Sequence, residues 1–200
     1  MHKSPLPIAL VLVTFLCAAS APAQRPKARV SPAPLSAEQL AVYRVVLHGW
    51  MEGDVPTINL ADKTIQLETE GPISDEGCAK GLEMEPASPS IVHRFRAEDL
   101  AHLGSDKIVL VDEDRQSKEV AENDPERGIG RGKSIDDAVR NGFSHGLVTL
   151  SEIQFDKAHN HAIVAYGFRC GGLCGNGGTW ILEKQDGVWV RKSRCQEWIS

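Results

Sequence analysis

Residues 179–191, Thr-Trp-Ile-Leu-Glu-Lys-Gln-Asp-Gly-Val-Trp-Val-Arg (TWILEKQDGVWVR), place two runs of strand-forming residues on either side of Asp186-Gly187. Both residues of that dipeptide tolerate positive φ, which a two-residue hairpin loop requires, so antiparallel strands are predicted over Thr179–Gln185 and Val188–Arg194. Working outward, Val148–Phe155 and His161–Phe168 read as earlier strands, and Glu197–Ile199 as a final short one. The result is a C-terminal β-meander.

At the other end of the chain, Ser36 can cap a helix and Gln39, three residues on, can return the bond. Leu40, Tyr43, Leu47 and Trp50 then recur at the three- and four-residue spacing of one buried helical face, with Gly53 and Pro56 as stop signals. Thr57–Leu67 holds a short strand or two, and 71–90 reads as an irregular loop pinned by Cys78. Arg96–Leu103 is a short helix stopped by Gly104. Lys107–Val111 is an apolar run suited to a buried central strand. The charged stretch 112–133 is poor in apolar residues and interrupted by Asp124-Pro125 and glycines, which predicts a mobile loop. Ser134 and Asp137 form a second capping pair, opening a helix that stops near Asn141-Gly142. Together these elements predict an α+β domain, with an N-terminal helix packed on a mostly antiparallel sheet.

The N-terminus carries an address. A positive start at His2 and Lys3, an apolar run from Leu6 to Cys17 and the small-x-small pattern Ala21-Pro22-Ala23 predict a signal peptide over residues 1–23, cleaved before Gln24. Residues 24–35, basic and proline-rich, read as a flexible tether, and 36–200 as one domain. With the leader gone, no membrane span is expected, and the protein is expected to be secreted or periplasmic. Cleavage removes one of 22 basic groups and none of the 27 acidic ones, moving the net charge from −5 to −6. That balance argues against nucleic acid as a partner.

Compartment sets the reading of the cysteines. Four of the five lie beyond the leader, Cys78, Cys170, Cys174 and Cys195, an even number that suits two disulfides in an oxidising setting. Three pairings are open; Cys170 with Cys174, across the glycine-rich RCGGLCGNGG, leaves Cys78 for Cys195. The glycines there are expected to let a wide connection between two strands turn.

Several motifs invite chemistry. Gly142–Gly146, GFSHG, matches the G-x-S-x-G of a hydrolase nucleophile elbow, but its flanks run helix-then-strand where the elbow needs strand-then-helix. Ser144 with Asp156 and His159 or His161 is nevertheless the set a hydrolase would use. His159 and His161, with a carboxylate such as Asp156 or with Cys170 and Cys174 as free thiolates, are the residues a structural zinc site would use. Gly128–Ser134, GIGRGKS, ends like a phosphate loop but has arginine where the first glycine belongs. Asp112 and Asp114 open like a calcium loop that then lacks its glycine and its bidentate glutamate. No cofactor is expected.

The C-terminal quarter also resembles a loosely defined group of exported bacterial proteins with no assigned activity. The likeness lies in the S-x-I-x-F opening at Ser151, Ala162-Ile163-Val164, Cys170-Gly171-x-x-Cys174-Gly175, Leu182-Glu183-Lys184, Asp186-Gly187-x-Trp189 and the Trp198-Ile199-Ser200 ending. The resemblance implies an exported role and transfers no catalytic residue. The expectation is a non-catalytic exported protein that binds a small ligand or an envelope protein.

Overall fold

The capping pair at Ser36 forms as its spacing dictates. Gln39 N–H donates to Ser36 Oγ at 3.1 Å, while Ser36 N–H donates to Gln39 Oε1 at 2.8 Å. The computed structural model describes residues 28–51, 57–67, 78–86 and 91–200, excepting the side chains of Trp50 and Met51. Residues 1–27, Gly53, Pro56 and most of the 71–90 loop lie outside the described residues, as does the side chain of Trp50.

The elements run, in chain order, β1 (Arg29–Val30), α1 (Ala37–Met51), β2 (Ile58–Ala61), β3 (Ile91–Val92), α2 (Leu100–Leu103), β4 (Ile108–Val111), α3 (Glu113–Glu122), α4 (Pro125–Gly130), α5 (Ile135–His145), β5 (Leu147–Leu150), β6 (Gln154–Phe155), β7 (His161–Gly171), β8 (Cys174–Gln185) and β9 (Val188–Ile199). The principal sheet has the order β4-β2-β5-β7-β8-β9, with β6 paired to β7. From β5 onward every pairing is antiparallel, as the meander requires, whereas β2 lies parallel to both β4 and β5. The fold is α+β with a mixed sheet.

Strand alternation divides the core. Leu60, Val148, Leu150, Val164 and Leu182 join Leu40, Val42, Tyr43, Val46 and Leu47 of α1 in the main apolar cluster. Neighbouring positions supply the other clusters: Ala61, Val111 and Leu147 receive Val120 of α3, while Ile163 packs with Cys78 and Ala79. Tyr43 is fully buried; its hydroxyl donates to Ser151 O at 2.9 Å, and burial, with the Glu152 charge second, pushes its pKa well above the usual phenolic value. Gly104 stops α2 in the left-handed region at φ 82°, where glycine carries no Cβ penalty.

Five expectations need correction. The stretch 112–133 is helical: Asp112 caps α3 through Arg115 N–H, and Asp124 caps α4 with Pro125 at its first position. Aspartate followed by proline is a helix start when the proline falls at the first helical residue, where its missing N–H costs nothing. Lys107–Val111 supplies an edge strand, not a central one, because β4 pairs only with β2; Val109 is 46 % exposed. The second capped helix runs on through Gly142 to His145. The 24–35 tether is partly ordered, since Arg29–Val30 pairs in parallel with Ile91–Val92.

The fifth correction concerns the glycine-rich segment, which is a tight hairpin with Gly171 paired to Cys174, not a wide connection. Gly175, Gly177 and Gly178 sit within β8. A Cβ at Gly177 would stand 2.5 Å from Trp198 Nε1, so the glycine leaves room for the indole to lie over the strand.

Candidate ligand groove

The four cysteines meet in two pairs at disulfide distance, Cys78 with Cys195 and Cys170 with Cys174. The first ties the 78–86 segment to β9. The second closes the β7–β8 hairpin, whose tip is held by Gly172 N–H donating to Asp124 Oδ2 at 2.7 Å.

The candidate catalytic residues do not converge. Ser144 lies in the last turn of α5, its Oγ donating to Asn141 O at 2.8 Å. The neighbouring His145 Nδ1 is 2.8 Å from the same carbonyl and 3.1 Å from Ser144 Oγ, so both side chains turn back onto the end of the helix. Asp156 and His161 lie at the far end of the sheet. Leu147, just after Ser144, pairs with Arg169, and the strand from there back to His161 spans about 27 Å at ~3.4 Å per residue.

Asp156, His159 and His161 instead build the β6–β7 turn. Asp156 Oδ1 accepts from the N–H groups of Asn160 at 2.7 Å and His161 at 2.9 Å, and Oδ2 faces His161 Nδ1 at 3.0 Å. Burial alone would raise this carboxyl's pKa; these hydrogen bonds and the imidazole outweigh it and hold it below the usual aspartate value. The other nitrogen of His161 faces Lys192 Nζ at 3.2 Å. His159 sits at φ 53°, stacks on Phe155 at 4.7 Å, and presents Nδ1 to Glu38 at 2.9 Å and Nε2 to Glu85 at 3.2 Å. The Glu38 hydrogen bond, ahead of a smaller opposing desolvation and the Glu85 contact, raises its pKa. The two rings thus face different partners and share no ligand position. Among the described residues no three His, Cys, Asp or Glu side chains group as a metal site.

A groove of about 710 Å³ opens elsewhere, between α1 and the β8–β9 hairpin. One wall is a helical stripe: Ala37, Leu40, Ala41, Arg44, Val45 and His48 recur at three- and four-residue spacing along α1. The other is Gly187–Arg191, and His102 of α2 stands at the side. Two anchors fix its width. Arg191 reaches across to α1, donating through Nη2 to Val45 O at 2.7 Å and Val46 O at 3.1 Å, with its guanidinium 4.9 Å from the Trp180 ring. At the opposite end Lys184 Nζ meets Glu38 at 2.5 Å and lies 4.7 Å over Trp189. Burial would raise Glu38, yet Lys184 and His159 together hold it below its usual pKa.

Sequence reasoning missed this site. Its only sequence signal is that the apolar face of α1 is wider than the Leu40–Tyr43–Leu47 stripe needs, with Ala41 and Val45 extending it. The opposite wall lies some 145 residues away and cannot be paired with it from spacing.

The architecture is that of an α+β domain with a mixed sheet and an apolar groove under its N-terminal helix. No family model matches the chain, and neither a curated protein nor a solved structure matches it. Among the described residues no helix is long and apolar enough to cross a membrane.

Proposed function

We propose that this chain is an exported, non-catalytic binding domain whose ligand is a small molecule with an apolar body, held between α1 and the β8–β9 hairpin. The groove carries the reading. Its volume of about 710 Å³ falls in the range of small-molecule sites, ~300–1,000 Å³. Half of its lining residues, Ala37, Leu40, Ala41, Val45, Val188 and Val190, are aliphatic, which suits binding by exclusion of water from apolar surface.

Export is supported by the leader-like N-terminus and by cysteine pairs at disulfide distance, an arrangement suited to an oxidising compartment. The C-terminal resemblance to exported proteins points the same way. In such a compartment the disulfides act as scaffold: they close the hairpin and fasten the 78–86 segment, leaving no thiolate for chemistry.

The test is a neutral apolar fluorophore such as N-phenyl-1-naphthylamine, titrated against the wild type and Ala41→Trp. Ala41 lines the groove and is partly exposed, so the variant should fill the site and lose at least about tenfold in affinity, with the urea midpoint measured alongside to show that the variant is folded. Equal binding by both proteins would refute the groove as the site.

A further inference from the structure

Among the described residues the titratable side chains that line the groove are Arg44, His48, His102 and Arg191, with no acidic residue beside them. This occurs in a chain with 27 acidic against 22 basic groups, so the lining departs from the average surface in sign as well as in hydropathy. Arg191 is engaged by the carbonyls of α1. Arg44 is different: it is exposed, and among the described residues it makes no side-chain hydrogen bond or ion pair. Its side chain passes beside Gly104, where an added Cβ would sit 3.0 Å from Arg44 Nε.

We infer that the ligand is an apolar molecule bearing a carboxylate, and that Arg44 is the group that receives the anion. The inference rests on the binding reading above and narrows it to a ligand class. A guanidinium presents a planar fork of N–H donors that matches the two oxygens of a carboxylate, and such charge-assisted pairs are the stronger hydrogen bonds. One turn further along α1, His48 stands on the same wall, and His102 of α2 also lines the groove. The apolar surface of Ala41, Val45, Val188 and Val190 takes the tail. An amphiphile of the fatty-acid type satisfies both halves; an ammonium amphiphile would place like charge against Arg44.

The experiment compares decanoate, decan-1-ol and decylammonium, of equal chain length, by calorimetric titration of wild type, Arg44→Gln and Arg44→Lys. Decanoate should bind at least about tenfold tighter than decanol to the wild type, the scale of a hydrogen bond to a charged group. Decylammonium should bind weakest. Arg44→Gln should lower decanoate affinity by at least about tenfold, a larger factor than any change for decanol, with Arg44→Lys between. Equal binding of decanoate and decanol overturns the anion assignment while leaving the groove intact. An Arg44→Gln loss shared equally by both ligands overturns it as well, because it marks a structural role. Binding of none of the three to wild type overturns the underlying binding reading with it.

Discussion

Removing each cysteine pair in turn should separate two structural roles by size. Cys78 and Cys195 are 117 residues apart, Cys170 and Cys174 only 4. In the chain-entropy account, a cross-link stabilises by restricting the unfolded chain, with an entropy of ~2.1 plus 1.5R ln n cal/mol/K for a loop of n residues. At 25 °C this gives about 4.9 kcal/mol for the long loop and about 1.9 kcal/mol for the short one. With an m value near 2.5 kcal/mol/M, the urea midpoint should fall by roughly 2 M for Cys78→Ala/Cys195→Ala and by roughly 0.75 M for Cys170→Ala/Cys174→Ala. Free energies should be compared alongside midpoints, because the uncrosslinked unfolded chain exposes more surface and steepens m. The assay is equilibrium urea unfolding followed by tryptophan fluorescence without reductant. Equal losses for the two double variants, or a larger loss for the hairpin pair, would refute the view that Cys78–Cys195 is the main covalent tie.

His159, with its pKa raised by Glu38, should contribute stability that is complete below the unfolded value of about 6.5 and fades as pH climbs through the higher folded value. A thermal series from pH 5.5 to 8.5 should therefore show a slope that His159→Gln flattens; the effect is small because the side chain is 42 % exposed, and identical slopes count against the clamp. Gly146→Ala should cost about 1–3 kcal/mol, because the added Cβ would lie 2.3 Å from Cε2 of the buried Phe168 ring. The backbone there, φ −57° and ψ 152°, suits alanine, so a loss in thermal melts below ~0.5 kcal/mol would show that the core yields instead. Intact-mass spectrometry of protein recovered from the periplasm or medium should show a chain beginning at Gln24 that gains four hydrogens on reduction; a retained leader or thiols that label without reductant would contradict export and oxidation.

What the sequence made legible is local. Asp186-Gly187 specifies its hairpin through backbone preference alone, with Asp186 at φ 50° and Gly187 at φ 81° as the turn demands. The Ser36–Gln39 exchange likewise needs no distant partner. What stayed hidden depends on pairing across the chain or on sparse burial. In α3 only Gln116 and Val120 are buried, too little apolar signal to set against its charge. The parallel placement of β2 between β4 and β5 rests on partners some 50 and 90 residues away, which no turn motif announces. For the site, G-x-S-x-G points to Ser144, whereas the groove combines aliphatic and basic residues whose meaning appears only when α1 lies beside β9.

Photolabelling with a neutral ten-carbon alcohol carrying a diazirine, followed by peptide mapping, tests the binding account most directly because it reports position as well as affinity. Saturable label should fall on α1 around Leu40, Ala41 and Val45 and on the hairpin around Val188 and Val190, and unlabelled decanol should compete it away. Label concentrated instead on the exposed apolar stripe of α5, where Ile135, Val139 and Phe143 are 67 %, 38 % and 44 % exposed, or label that decanol does not displace, would contradict the groove as the working site of this protein.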